Sequence, residues 1–419
     1  MKTFLGISSF QVLAVFRRGL FFSYLTIYLR HYLGLSVTAT TLFATLPMIV
    51  NVLAQRYIWG ALSDRLQKRR ALIIWGEILG GIGTIGLYYA HRLPETPETA
   101  GWVLILGMCV VEVVWSMSNI GWSALIADIY RKGNRSLIMG RLESMGGMGR
   151  IAGVLTGGLL YDRMGTAFQG WGFYEGSLFW VSGVIMFLSV FPMLLVPEGG
   201  MTEDDTPGDT TSDAAAATRH RFYIFLAAVT LIHFGRNAVA LPLPQYLILE
   251  SGLNLSSLTL SHVLNLRSLG LIVTGFFAGA LGRRFGDRTI LAAASGVAAL
   301  SLFIIGITES LTWICLSSFL MGFSEVLILA ASYELASAYI PADRRGKDFA
   351  LFNAAFFLSW GVAATLIAGP VADGLLAMGR TETQAYMASF NTCGLVTLAG
   401  VITLIFLYAQ EKKHHEVVT

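Results

Sequence analysis

Long apolar stretches separated by short polar turns dominate the chain. They run over about 8–33, 39–62, 71–90, 101–127, 137–160, 176–196, 222–249, 257–282, 289–308, 311–338, 349–371 and 385–409. Each is close to or beyond the ~20 residues that an α-helix needs to cross a bilayer. The pattern therefore predicts an all-α polytopic membrane protein with twelve transmembrane helices. The one long polar stretch, from Pro197 to His220, is rich in Asp, Thr, Gly and Ala and has the composition of a flexible tether. It divides the chain into a six-helix bundle over 1–197, a linker over 198–220, a second six-helix bundle over 221–410 and a tail over 411–419.

The halves echo each other. Gly60-Ala61-Leu62-Ser63-Asp64-Arg65 after the second helix returns as Gly279-Ala280-Leu281-Gly282-Arg283-Arg284 after the eighth. Gly158-Leu159-Leu160-Tyr161-Asp162 at the end of the fifth returns as Gly369-Pro370-Val371-Ala372-Asp373 at the end of the eleventh. Two parallel repeats joined by a linker are the pattern of rocker-type transport, with substrate held near the membrane midplane. Basic residues concentrate in alternate connections, among them Arg65, Lys68, Arg69, Arg70, Arg131, Lys132, Arg283, Arg284, Arg344 and Arg345. By the positive-inside rule both termini are expected in the cytoplasm.

Composition sharpens this reading. Of 419 residues, 55% are hydrophobic and only 13% charged, with mean hydropathy +0.64, against ~25% charged in soluble domains. Cys109, Cys315 and Cys393 all fall in apolar segments, which predicts free thiols. No Walker loop, nucleophile elbow or metal-ligand cluster occurs, and Gly81-Ile82-Gly83-Thr84-Ile85-Gly86 lies inside an apolar helix without a preceding strand. No cofactor, metal or nucleic acid is expected.

Against that background the charges inside the apolar segments stand out, because a mid-membrane charge is costly and marks a candidate functional site. Arg17 and Arg18 lie in the first segment and Arg236 in the seventh. Aligning Tyr28-Leu29 and Gly34 with Tyr246-Leu247 and Gly252 superimposes Arg18 on Arg236, whereas helical periodicity puts Arg17 on the face of Tyr24 and Tyr28. The two criteria disagree, so either arginine qualifies as the cavity-facing one. The fourth segment carries Glu112, Ser116, Asn119 and Ser123 as one polar stripe flanked by Trp115. The seventh adds His233, the eighth Arg267 and the tenth Glu325. All cations deep in these segments are arginines, which suits bidentate recognition of carboxylate or phosphate.

Gly60 to Arg70, a Gly followed by Asp-Arg and a basic cluster, resembles the loop between helices two and three of the major facilitator superfamily (MFS) of secondary transporters. The resemblance covers essentially the whole chain. It implies the fold of that superfamily, with helices one, four, seven and ten lining a central cavity, and a cytoplasmic gate at Asp64 and Arg65; Asp128 is a further gate candidate. Gly153-Val154-Leu155-Thr156-Gly157-Gly158 resembles the helix-five motif of its drug antiporters, with Val154 where they have Pro.

These observations lead to a monomeric secondary transporter of a small organic anion or zwitterion, in a bacterial inner membrane. Arg17, Arg18, Tyr24, Tyr28, Trp115, Asn119, His233, Arg236 and Arg267 are the substrate-binding candidates. Glu112 and Glu325 are the candidate proton carriers, since a partly desolvated carboxylate is readily neutralised. The rival readings are a multidrug/proton antiporter, in which the glutamates attract lipophilic cations, and a polytopic enzyme or sensor.

Overall fold

A computed structural model describes residues 2–129, 132–199, 215–340 and 345–418; within them, no account extends to the side chains of 64, 123, 127–128, 132–140, 143, 215–219, 345–347, 349–350 and 412–418. Its helices are α1 (Lys2–Tyr32), α2 (Val37–Ser63), α3 (Arg69–Ala90), α4 (Pro97–Ile129), α5 (Lys132–Tyr161) and α6 (Ser177–Met193). There follow α7 (His220–Leu247), α8 (Ser257–Gly275 with Ala278–Phe285), α9 (Asp287–Ile307), α10 (Leu311–Tyr339), α11 (Arg345–Leu358 with Ala364–Ala377) and α12 (Glu382–Val418).

Among the described residues eight helices are long and apolar enough to span by themselves, and α8 makes a ninth if its two pieces are one span. The expected spans that miss this threshold have identifiable reasons. Helix α6 is short, α11 is interrupted, and α5 trades apolar side chains for glycines.

Those glycines are a packing device. A Cβ on Gly149 would run into the Val12 carbonyl oxygen, and one on Gly157 would lie 2.8 Å from that of Leu20. Between them, Gly153 meets the Phe16 carbonyl still more closely. Small residues spaced four apart thus let α5 touch the α1 backbone. Gly153→Val is expected to prevent insertion of a folded protein, read as loss of the monodisperse peak in detergent chromatography, because the clash is with backbone rather than a movable side chain.

Breaks in the helices also follow from sequence. Helix α7 is interrupted after Ala238 and resumes at Pro242, whose ring cannot continue a helix. Helix α8 bends by 56° between Gly275 and Ala278. In α2 the turn Gln55–Trp59 is a π-helix, a local irregularity often found at functional sites. Helix α12 continues through the residues anticipated as a tail, to Val418.

Contacts gather the chain into two compact units, Met1–Asp204 with Asn254–Asn265, and Asp205–Leu253 with Leu266–Thr419. The anticipated boundary lay in the linker, most of which falls outside the described residues. In the first unit α1 packs on α5 and α6, α3 on α4 and α6, and α2 on α4. In the second, α7 packs on α11 and α12, α9 on α10 and α12, and the distal piece of α8 on α10. Each pair recurs six helices later, which is the sequence repeat expressed as packing. Large apolar side chains such as Val110, Phe276, Ile307 and Leu366 are exposed, as expected of helices whose outer solvent is hydrocarbon.

Candidate functional site

In the first unit the chemistry centres on Trp115. Its indole N–H donates to Glu77 Oε1 at 2.8 Å, and the same carboxylate accepts from Ser118 Oγ at 2.7 Å and Ser189 Oγ at 3.3 Å. The ring faces two cations, with the guanidinium carbon of Arg17 4.2 Å and that of Arg18 5.5 Å from its centroid. Arg17 is buried at 6% exposure, whereas Arg18 is exposed. Arg17 Nη1 lies 3.5 Å from Met186 Sδ, and its Nε and Nη2 have no hydrogen-bond partner. Among the described residues Arg17 forms no ion pair.

A small cavity adjoins this group, lined by Arg17, Phe21 and Phe22 of α1, Thr84 of α3, Glu112 and Trp115 of α4 and Ser182 of α6, with two further apolar residues of α4. Glu112 is held by Asn51 Nδ2 at 2.5 Å, and Asn51 Oδ1 in turn accepts from Gln55 at the π-helical turn of α2. The cavity therefore presents a guanidinium with spare donors beside a carboxylate anchored by an amide.

The second unit is built differently. Glu325 of α10 accepts two hydrogen bonds from Arg267, from Nε at 3.1 Å and Nη2 at 2.9 Å, both at Oε2. Arg236 Nη1 lies 3.2 Å from the same oxygen, within ion-pair distance but without hydrogen-bond alignment. The side chains of all three are less than a tenth exposed. Arg267 also lies over Trp360, 5.2 Å from its ring centroid. Beside this triad, Asn237 Nδ2 donates to Ser359 Oγ at 2.8 Å, and His233 is fully buried against the edge of Phe356 with neither ring nitrogen partnered. Two cations on one carboxylate leave one positive charge in the interior, and a buried charge is tolerated only when paired or hydrogen-bonded.

The structure distributes the sequence candidates unevenly. Arg17, Trp115 and Glu112 come together in one unit, and Arg236, Arg267, Glu325 and His233 in the other. The repeat offset favoured Arg18 as the counterpart of Arg236, yet it is Arg17 that is buried, because on α1 it faces α4 and α6. Tyr24 and Tyr28, anticipated as walls of a binding cavity, are at most 1% exposed. The Tyr24 hydroxyl contacts the Val154 carbonyl at 3.1 Å and bonds to Ser261 Oγ, while Tyr28 stacks on Phe173 and Tyr32. Asn119 is half-buried on α4. Arg65 is exposed, and the side chains of Asp64 and Asp128 lie outside the described residues. Sequence reasoning passed over Asn51, Gln55, Ser189 and Trp360; the four-residue spacing of Asn51 and Gln55 in an apolar helix was the available signal.

A family model described as "MFS_1 like family" matches residues 10–377. The chain belongs to this family. Among curated relatives, the niacin transporter NiaP of Acinetobacter baylyi is 29% identical over 102 residues, 24% of this chain and 23% of that protein. The class G tetracycline resistance protein of Vibrio anguillarum is 25% identical over 147 residues, 35% of this chain and 33% of that protein. The matched regions thus span about a quarter and a third of the length of these relatives. The crystal structure of the nucleoside transporter NupG superposes with TM-score 0.73 at 12% identity, covering 97% of this chain and 99% of that one. A peptide transporter POT structure gives TM-score 0.69 at 15% identity over 98% and 94%. These likenesses carry the fold alone. Membership of the MFS_1 like family places the chain in a family of membrane transporters, not of enzymes.

Proposed function

We propose that this MFS_1 like transporter moves a small organic anion or zwitterion, and that Arg17 is the group that receives its carboxylate. The supporting observation is the buried Arg17 guanidinium, which borders a cavity with Nε and Nη2 unpartnered. Two parallel N–H donors match the two oxygens of a carboxylate. Phe21, Phe22 and Trp115 supply an apolar surround for the body of such a solute. A relative named for niacin, itself a small carboxylic acid, agrees with this chemistry.

Proton coupling is assigned to Glu325, with Glu112 as the second candidate. Glu325 accepts from Arg267 and lies at ion-pair distance from Arg236; a proton on it weakens both contacts and frees two guanidiniums. Alternating protonation of this one carboxylate would then couple a proton gradient to a change of charge within the second unit. We place the transporter, as a monomer, in a bacterial inner membrane; the concentration of basic residues in alternate connections supports cytoplasmic termini.

The longer match to a tetracycline resistance protein favours a second reading, export of lipophilic compounds with Glu112 as the attracting charge. A thermal-shift screen separates the two, since a ligand that binds only the folded state raises its melting temperature. Organic carboxylates are expected to stabilise the purified protein, more strongly at acidic than at alkaline pH, and Glu325→Gln is expected to remove the pH dependence. Stabilisation by lipophilic cations alone would decide for the exporter.

A further inference from the structure

Arg17 poses a question that the anion site by itself does not answer. A guanidinium buried to this degree without an ion pair is costly unless some other group compensates its charge. Glu77 is equally hidden, at 2% exposure, and its three hydrogen bonds come from Trp115, Ser118 and Ser189, none of them cationic. Trp115 joins the two, giving its N–H to Glu77 and its ring face to Arg17. An indole whose N–H donates to a carboxylate is polarised so that its π face becomes more negative, which strengthens the attraction for a cation above it.

We propose that Glu77 is the counter-charge of Arg17, acting through the Trp115 indole, so that Arg17 is neutralised in the interior while its Nε and Nη2 are left unpartnered for substrate. Glu77 is thus a positioning residue, and the inference rests on the reading of Arg17 as the anion-binding group. The contrast with the second unit supports it. There Glu325 meets both arginines directly, occupying Nε and Nη2 of Arg267 and standing at ion-pair distance from Arg236; here the carboxylate is set one ring away.

Helix α3 is shaped for the arrangement. A Cβ on Gly80 would sit 3.1 Å from Trp115 Cδ1 and 2.5 Å from Met186 Cε, and one on Gly76 would sit 2.6 Å from the Ser118 backbone nitrogen. The glycines on either side of Glu77 let α4 approach until both Trp115 and Ser118 reach the carboxylate. Remote compensation has a functional consequence. A directly paired arginine would require the substrate to break an ion pair, whereas a fully uncompensated one would hold its anion too tightly to release it.

The test uses the full-length protein labelled with 5-fluorotryptophan, the Trp115 resonance being assigned through Trp115→Phe, and benzoate as the anionic probe. In the wild type the Trp115 resonance is expected to shift on benzoate titration, and Arg17→Ala to abolish the shift. Glu77→Gln keeps an acceptor for the indole N–H but removes the charge. It is expected to move the Trp115 resonance before any benzoate is added and to tighten benzoate binding about three- to tenfold. Glu77→Asp, which keeps the charge, is expected to stay within about twofold of wild type on the same reasoning. Unchanged or weaker binding in Glu77→Gln, with Arg17 still required, would overturn the counter-charge role and leave the anion site standing. Benzoate binding that survives Arg17→Ala, or no wild-type response to benzoate, would instead overturn the anion site and the counter-charge role with it.

Discussion

Glu325→Ala is expected to destabilise the second unit by about 3–5 kcal/mol, the range found when one member of a buried charge cluster is removed. The reason lies in what remains. Arg236, fully buried, and Arg267, at 8% exposure, would face each other with no carboxylate between them. Two desolvated cations repel, and the guanidinium donors of Arg267 now satisfied by Glu325 would be orphaned. The measurement is the thermal unfolding midpoint in detergent. Glu325→Gln retains an oxygen acceptor and is expected to fall between wild type and alanine. Combining Glu325→Ala with Arg236→Met removes one of the opposing charges and is expected to recover part of the loss, since residues sharing one network do not behave additively. If Glu325→Ala melts within a degree of wild type, the triad is not a closed charge cluster and the coupling scheme built on it fails.

The second large effect concerns transport. Arg17→Ala is expected to reduce uptake of an organic carboxylate by roughly a hundredfold or more, because hydrogen bonds to a charged group contribute about 1.5–3 kcal/mol each and two donors are lost. Arg17→Lys is expected to recover little, since an ammonium is a point charge without the planar fork that pairs with a carboxylate. Arg18→Ala is the informative neighbour. Its guanidinium is further from Trp115 and exposed, so its loss is expected to lower uptake only about threefold, through the long-range field in an environment of intermediate dielectric. Equal losses for the two variants would mean that burial does not distinguish their roles.

Most of the fold was legible because the bilayer imposes a simple rule, that each span must be long, helical and apolar. Where the rule is bent, the sequence reads less plainly. Helix α5 was expected on apolar length, but it is its Gly149, Gly153 and Gly157 that explain its place against α1. The 56° bend in α8 had no proline to announce it. At the site, the charged residues were visible one at a time, as exceptions in apolar helices, but their partners were not. Nothing in the order of residues joins Glu77 to Trp115, or Glu325 to Arg267, since these contacts run between helices and depend on rotation about each helix axis. Adjacent arginines illustrate the limit. Arg17 and Arg18 differ by ~100° around α1, and only the packing of α1 against α4 and α6 decides which is buried. Periodicity puts Tyr24 and Tyr28 on one face of α1 with Arg17, yet their bulk is absorbed by an aromatic cluster and by backbone carbonyls.

The central claim is that Arg17 receives the carboxylate of a transported anion. Its most direct test takes the carboxylate that best stabilises the purified protein and measures its uptake, in radiolabelled form, into proteoliposomes containing either wild type or Arg17→Ala, under an imposed proton gradient. Gradient-dependent accumulation by the wild type, with uptake by Arg17→Ala no faster than by empty liposomes, is the predicted result. Accumulation by Arg17→Ala at the wild-type rate would contradict it.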